Sequence, residues 1–373
     1  MQPEPTVVLH VDDKHTWGGG QNQAYLLFNA QRADKDLDPY FLVQQGGVLH
    51  QRLGDGQQVI PCSIGGEWHL PSLWRLRRLL ARVRPGIVFC HTPHAVTLLH
   101  LARMIGHKCP HVAVRRVDYR VRRLKYRLCV DHIVAISKRI YQVLQACGMP
   151  EERLSLIPSA IPPQRVRDQA AAERPVYEQR FKPRGLRVGS LTNLLPDKSI
   201  GTFLRAIARL PEGTRAACTF YIAGDGPERK RLEHLCRSLN IAEHVCFLGF
   251  ITTPYGYVDC LDILVMPSRR EGLGTTLLDA IALGTPVVAA DTGGIPEIVE
   301  HMKNGVLFAP EDSGDLARWL MRLLTDGTLR RAIRATQLSA FPEIHTITAN
   351  AGRYKQLIRR LVGSPKTSVS PGA

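Results

Sequence analysis

No stretch of about 18 consecutive apolar residues occurs in the 373-residue chain, so no membrane-spanning helix is expected. The nine cysteines stand singly, at 62, 90, 109, 129, 147, 218, 236, 246 and 260, with no CxxC pair and an odd total. That spacing gives neither a disulfide framework nor a zinc cluster, and it suits a reducing compartment. The opening residues, MQPEPTVVLHV, lack a basic region ahead of an apolar core and a small-residue cleavage site, which argues against export. Acidic residues are scarce: 33 Asp and Glu face 49 Lys and Arg, a net charge of +16. The excess is local, because between Arg75 and Arg127 fourteen Lys or Arg meet the single Asp118.

What is present is an alternation of short β-branched runs with helical patterns, the signature of parallel sheets with crossover helices. The expected fold class is α/β. In the first half the strands are predicted at 6–11, 39–43, 58–63, 86–91, 111–117 and 132–137. A second series begins at LRVGSL (186–191) and continues through CTFYIAG, VCFLG, DILVMP, PVVAAD and GVLFAP. Two separate sheets follow, as the chain's length also favours. Between them QRVRDQAAAERPVYEQRFKPRG (164–185) is polar and without strand periodicity, and it reads as a linker. The expected organisation is an N-terminal domain over 1–170, a linker over 171–185, a second domain over 186–345, a helix over 346–363 crossing back to the first domain, and a disordered tail over 364–373.

In open α/β sheets ligands bind beyond the carboxyl ends of the strands. In the second half those ends read GSLTNLLPDK, AGDGPE, LGF, PSRREGLG and ADTGG, nearly all pairing Gly with a polar or charged group. Five such turns on one edge describe a ligand cradle. In PSRREGLGTTLLDA an acid, Glu271, precedes a helix start, and a second acid, Asp279, follows eight residues on. The first half offers TWGGGQNQAYLLF, with Gly18, Gly19 and Gly20 opening an amphipathic helix, and FCHTPHA, with His91 and His94 at a strand end. Asp12 and Asp13 are adjacent and read as a loop turn rather than a metal pair.

Over residues 188–310, and more weakly over the N-terminal half, the chain resembles the retaining nucleotide-sugar glycosyltransferases of family 4. The resemblance implies the GT-B fold, with two doubly wound Rossmann-like domains facing a central cleft, the N-terminal one (1–170) binding the acceptor and the C-terminal one (186–345) the nucleotide sugar. It makes Glu271, Gly272, Leu273 and Gly274 sugar contacts, Asp279 a clamp on the ribose hydroxyls, and Lys198 a phosphate-binding cation. Asp225 and Gly226 belong to the same donor site. Ser190 stands where the family has an Arg, and Arg269 or Arg270 is then the substitute charge. His91 is placed near the donor sugar, and Gly18 to Gly20 form a phosphate- or acceptor-facing loop. The implied reaction proceeds on one face through an oxocarbenium-like transition state, with the leaving phosphate assisting removal of the acceptor proton. No cofactor and no metal are expected.

The basic region has three readings: nucleic acid, an anionic membrane surface, or solvated helix faces. No nucleic-acid module accompanies it. Basic residues near anionic lipid contribute about 1 kcal/mol each, and the family often acts on lipid-linked acceptors. The expected partners are therefore a nucleotide-sugar donor, a glycan or glycolipid acceptor such as a lipopolysaccharide core, and an anionic membrane surface. The expected location is cytoplasmic, peripheral on the inner face of the cytoplasmic membrane. A silent nucleotide-sugar-binding subunit and a nucleotide-sugar epimerase are the alternatives.

Overall fold

The computed structural model describes residues 4–65, 70–104, 108–119, 123–181, 185–252, 254–339 and 341–363. The expected tail, 364–373, lies outside them. The chain divides into two compact units, Met1–Ala160 with Thr346–Ala373, and Ile161–His345.

In the first unit seven strands form one parallel sheet: β1 (Thr6–Asp12), β2 (Leu37–Gln44), β3 (Val59–Cys62), β4 (Ile87–Cys90), β5 (His111–Arg115), β6 (His132–Ala135) and β7 (Leu154–Leu156). Their order is β3-β2-β1-β4-β5-β6-β7. The central strand β4 reads as an unbroken apolar run, IVFC, because helices cover both faces and every residue is buried, and β6, HIVA, is as fully buried behind its first histidine. The crossovers carry α1 (Gly19–Arg32), α2 (Val48–Leu53), α3 (Leu70–Val83), α4 (Pro93–Met104), α5 (Arg123–Cys129) and α6 (Lys138–Ala146). β7 was not anticipated; its three residues, LSL, are too few to show a period.

The second unit begins with α7 (Pro163–Arg180) and continues with β8 (Leu186–Leu191), α8 (Ile200–Arg209), α9 (Glu212–Ala216), β9 (Cys218–Ala223), α10 (Arg229–Ser238), β10 (Val245–Gly249) and α11 (Pro254–Asp259). β11 (Ile263–Met266), α12 (Thr275–Leu283), β12 (Val287–Ala290), β13 (Val306–Phe308), α13 (Ser313–Thr325) and α14 (Gly327–Ser339) complete it. The six parallel strands run β10-β9-β8-β11-β12-β13.

The expected linker is corrected here. Residues 163–180 are helix, and the chain passes between units at 160–161 and 345–346 instead. Only Val166, Ala170 and Tyr177 of that helix are buried, a stripe too narrow to register against a polar background containing Pro175. It is held by specific contacts: the Glu173 carboxylate accepts from Gly256 N at 2.8 Å, Arg174 pairs with Asp259 at 2.6 Å, and Tyr177 packs edge-on to Tyr257.

The last helix, α15 (Ile347–Val362), belongs to the first unit. Thr346 caps it, Asn350 donates to Pro158 O at 2.6 Å, and Tyr354 meets Phe89 edge-to-face at 5.3 Å. Lys355 reaches Asp34 and Asp36, and Arg359 reaches Asp36. Apolar spacing set its buried face, with Leu357 and Ile358 inside.

Candidate active site

In the second unit the strand order reverses between β8 and β11, the position where such sheets bind ligands. The loop after β8 contains the turn Pro196–Lys198, and the loop after β11 contains Glu271. Lys198 Nζ donates to Glu271 Oε2 at 2.5 Å, with side chains 23% and 16% exposed. Residues 73 positions apart thus form one charged pair.

Glycines hold these loops. A Cβ on Gly293, whose φ is 57°, would stand 1.9 Å from Glu271 O, and one on Gly294 would stand 2.3 Å from Gly272 O. The TGG turn after β12 therefore lies directly on the Glu271 loop, and Gly294 N donates to Glu271 O at 3.2 Å. Gly224 and Gly226 fix the loop after β8 in the same way, at 1.8 Å from Thr192 O and 2.6 Å from Leu194 O. Asp225 completes that joint: its carbonyl accepts from Leu194 N and its carboxylate from Gly226 N and Arg229.

α12 starts at Gly274, in the left-handed region at φ 85°, and α8 starts at Ser199, at φ 47°. Neither start has a side-chain cap; Leu277 N and Thr202 N donate to the N-cap carbonyls, and the two N–H groups before each have no partner among the described residues. Asp279 sits within α12. Its Oδ1 is buried without a partner among the described residues, and burial raises its carboxyl to about 8.

Other expectations shift. Leu273 is 1% exposed, so its side chain is buried and not free to meet a sugar. Ser190 is also 1% exposed within β8, and its carbonyl accepts from Tyr257 OH at 3.1 Å. It offers no side chain at the strand ends. Arg269 is tied to Asp197 through its own N–H (2.8 Å) and its guanidinium (2.9 Å). Arg270 is exposed and has no partner among the described residues.

In the first unit the order reverses between β1 and β4. Asp12 is not in a loop turn; it ends β1, fully buried, and accepts from Gln21 and from Lys14 N. Asp13 pairs with Thr92 and His94. His91 is 6% exposed and both ring nitrogens are engaged, one with His10 at 2.9 Å and one with Arg116 at 3.2 Å. The reading of His91 as a sugar contact is corrected on that ground: it is a buried, bonded histidine, and burial lowers its pKa well below the usual value. Gly18 to Gly20 do open α1, with Gly18 as an uncapped N-cap. Sequence reasoning missed Arg116. It was counted with the basic segment, although the RR pair at the end of a predicted strand was the available signal.

Among the described residues one trio could gather around a metal ion, Glu212, Glu243 and His244. It lies at the starts of β9 and β10, the opposite edge from the charged pair. No described helix is long and apolar enough to cross a membrane.

Residues 178–337 match the model of glycosyl transferases group 1, and residues 17–165 match glycosyltransferase family 4. A 2-deoxystreptamine glucosyltransferase of Streptomyces kanamyceticus is 29% identical over 63% of this chain and 62% of its own length. The lipopolysaccharide core biosynthesis glycosyltransferase LpsE of Rhizobium meliloti is 26% identical over 69% of this chain and 70% of its own. Among solved structures, Anabaena HepE in complex with UDP and glucose superposes with a TM-score of 0.81 at 19% identity, covering 95% of this chain and 99% of HepE. WaaG, a glycosyltransferase involved in lipopolysaccharide biosynthesis, gives 0.73 at 16%, covering 96% of this chain and 100% of WaaG. Two parallel sheets with a charged pair at the reversal point of the second, and two family models side by side along the chain, lead to one assignment: the chain belongs to the family-4 glycosyltransferases of GT-B fold.

Proposed function

We propose that the chain transfers a sugar, with retention, from a nucleoside-diphosphate sugar to a membrane-associated glycan or glycolipid such as a lipopolysaccharide core. The Lys198–Glu271 pair, with Asp279 on the helix that follows and its Oδ1 unpartnered among the described residues, carries this reading. Departure of a nucleoside diphosphate puts negative charge on phosphate oxygens, and Lys198 with the uncapped starts of α8 and α12 supplies fixed positive potential there. Glu271 places a carboxylate beside the developing oxocarbenium, and Asp279 receives the ribose hydroxyls. The lysine and the helix starts take the part a metal would otherwise play. HepE was solved with UDP and with UDP-glucose, which favours a uridine donor. LpsE and WaaG, by their names, favour a lipopolysaccharide-type acceptor.

Glu271→Gln tests the reading. Transfer should fall about a hundredfold or more while UDP affinity is kept, since shape is preserved and one electrostatic contact is removed. Wild-type turnover by the variant would refute it. The alternative, a silent binding subunit, is favoured only by Ser190 in place of Arg; donor hydrolysis by the wild type excludes it.

The membrane part rests on α3 to α5. α4 packs between α3 and α5, whose outward residues include Arg75, Arg78, Arg82, Arg123 and Arg127. Trp74 is 56%, Leu124 70% and Leu128 63% exposed among these charges. Apolar side chains within a basic field suit an anionic lipid surface. Flotation with phosphatidylglycerol vesicles should drop several-fold in an Arg78→Glu, Arg82→Glu double variant; unchanged flotation would remove the membrane from the proposal.

A further inference from the structure

Arg116 follows β5, whose end lies beside that of β4, where His91 stands next to the end of β1. Its guanidinium can only donate, so the bond to His91 Nδ1 makes that nitrogen an acceptor. Burial keeps both histidines neutral, with His10 lowered to about 4. His91 Nε2–H then donates to His10 Nδ1, and His10 Nε2–H donates to Gln31 Oε1 at 2.6 Å. One polarised chain runs from Gln31 to Arg116 and aims the guanidinium. His91 is a positioning residue in it.

Among the described residues His91 is the one hydrogen-bond partner of Arg116. Its Nε is shut off from solvent with no partner, and no carboxylate pairs with it among the described residues. Asp12 acts on Arg116 through its field, while its carboxylate oxygens accept from Gln21 and Lys14 N rather than from the guanidinium. A half-buried guanidinium whose one hydrogen-bond partner among the described residues is a neutral histidine keeps its charge available to a ligand that brings the opposite one. The glycine loop faces the same place. A Cβ on Gly20 would lie 3.3 Å from Arg116 Cδ and 3.9 Å from Nε, and α1 begins there without a side-chain cap.

We propose that Arg116 is the anion-binding residue of the first unit and takes a phosphate group carried by the acceptor, with the first N–H groups of α1 as further donors. This rests on the reading that the first unit receives the acceptor. A planar carboxylate matches the guanidinium fork alone, whereas a tetrahedral phosphate has oxygens left for the helix start.

The test is calorimetric titration of the full chain with inorganic phosphate in a Lys198→Ala background, which removes the competing cation of the second unit. Phosphate should bind, sodium acetate should bind at least tenfold more weakly, and adding Arg116→Gln should weaken phosphate at least tenfold, or 1.4 kcal/mol. Arg116→Lys should fall between, since it keeps charge without the fork. On the unsubstituted protein the Arg116 Nε–H resonance should move as phosphate is added, a readout independent of variant folding. Absent phosphate binding, equal affinity with and without Arg116, an unmoved resonance, or acetate binding as tight as phosphate would each overturn the proposal. UDP titrated into Arg116→Gln reads the donor site separately. Lost UDP binding by the wild type with phosphate binding intact defeats the donor assignment and leaves this one standing.

Discussion

The two units wind their sheets alike and treat charge at the reversal point in opposite ways. In the second, Lys198 already holds Glu271 at 2.5 Å, on loops clamped by Gly224, Gly226, Gly293 and Gly294. In the first, Arg116 has a neutral histidine as its partner and a glycine, Gly20, that leaves it room. A lysine already held by a carboxylate presents a fixed geometry; a guanidinium whose partner is neutral presents a charge that no carboxylate among the described residues touches. The same topology thus carries a rigid site in one unit and an anion-seeking one in the other.

The comparison breaks most severely at Gly293. Gly293→Ala adds a Cβ 1.9 Å from the Glu271 carbonyl at a positive φ, so the Glu271 loop must move. Melting should show a loss of at least about 2 kcal/mol, with transfer abolished; a stable, active variant would mean the loops are not clamped.

Lys198→Ala should come next in effect. It should weaken UDP binding about tenfold or more and uridine binding much less, because a lost charge-assisted bond is worth about 1.5–3 kcal/mol and only UDP bears the phosphates. Equal losses for the two ligands would place the lysine away from the phosphates.

Asp279 should give a smaller, pH-dependent effect. Its folded carboxyl titrates at about 8, above the ordinary value of 3.8, so the folded state holds its proton more tightly than the unfolded chain. Its contribution to stability is full below the unfolded pKa and falls as pH rises through about 8. Asp279→Asn does not titrate, so its Tm should exceed that of the wild type by a few degrees at pH 8.5 and match it near pH 4. A Tm difference independent of pH would show that burial does not hold the proton.

Gly20→Ala should be the mildest. A contact at 3.3 Å with a flexible arginine stem can be relieved by a few tenths of an ångström, so stability should change by less than about 1 kcal/mol. Loss of folding comparable to Gly293→Ala would make the two glycine loops equivalent and erase the contrast.

The strands were legible because parallel sheets bury both faces, and runs such as IVFC, ILVM and VVAA follow from that alone. The spacing of Glu271 and Asp279 was legible because a strand, a glycine turn and a helix start are local. α7 was not, since its identity depends on three buried residues meeting α11 and α12, which lie about a hundred positions away. His91 and Arg116 were not, for the same kind of reason. A histidine at a strand end is equally compatible with a sugar and with another histidine until its neighbours are known.

By itself the sequence determined two parallel α/β units, the strand ends that carry polar loops, and the basic bias of residues 75–127, because periodicity and charge are properties of neighbouring residues. Tertiary structure alone decided that Lys198 meets Glu271, that α15 joins the first unit, and that Arg116, aimed by His91 and His10, is hydrogen-bonded to no carboxylate among the described residues. Those outcomes depend on which distant side chains burial brings within hydrogen-bond reach, and on how strongly desolvation penalises each charge once it is there.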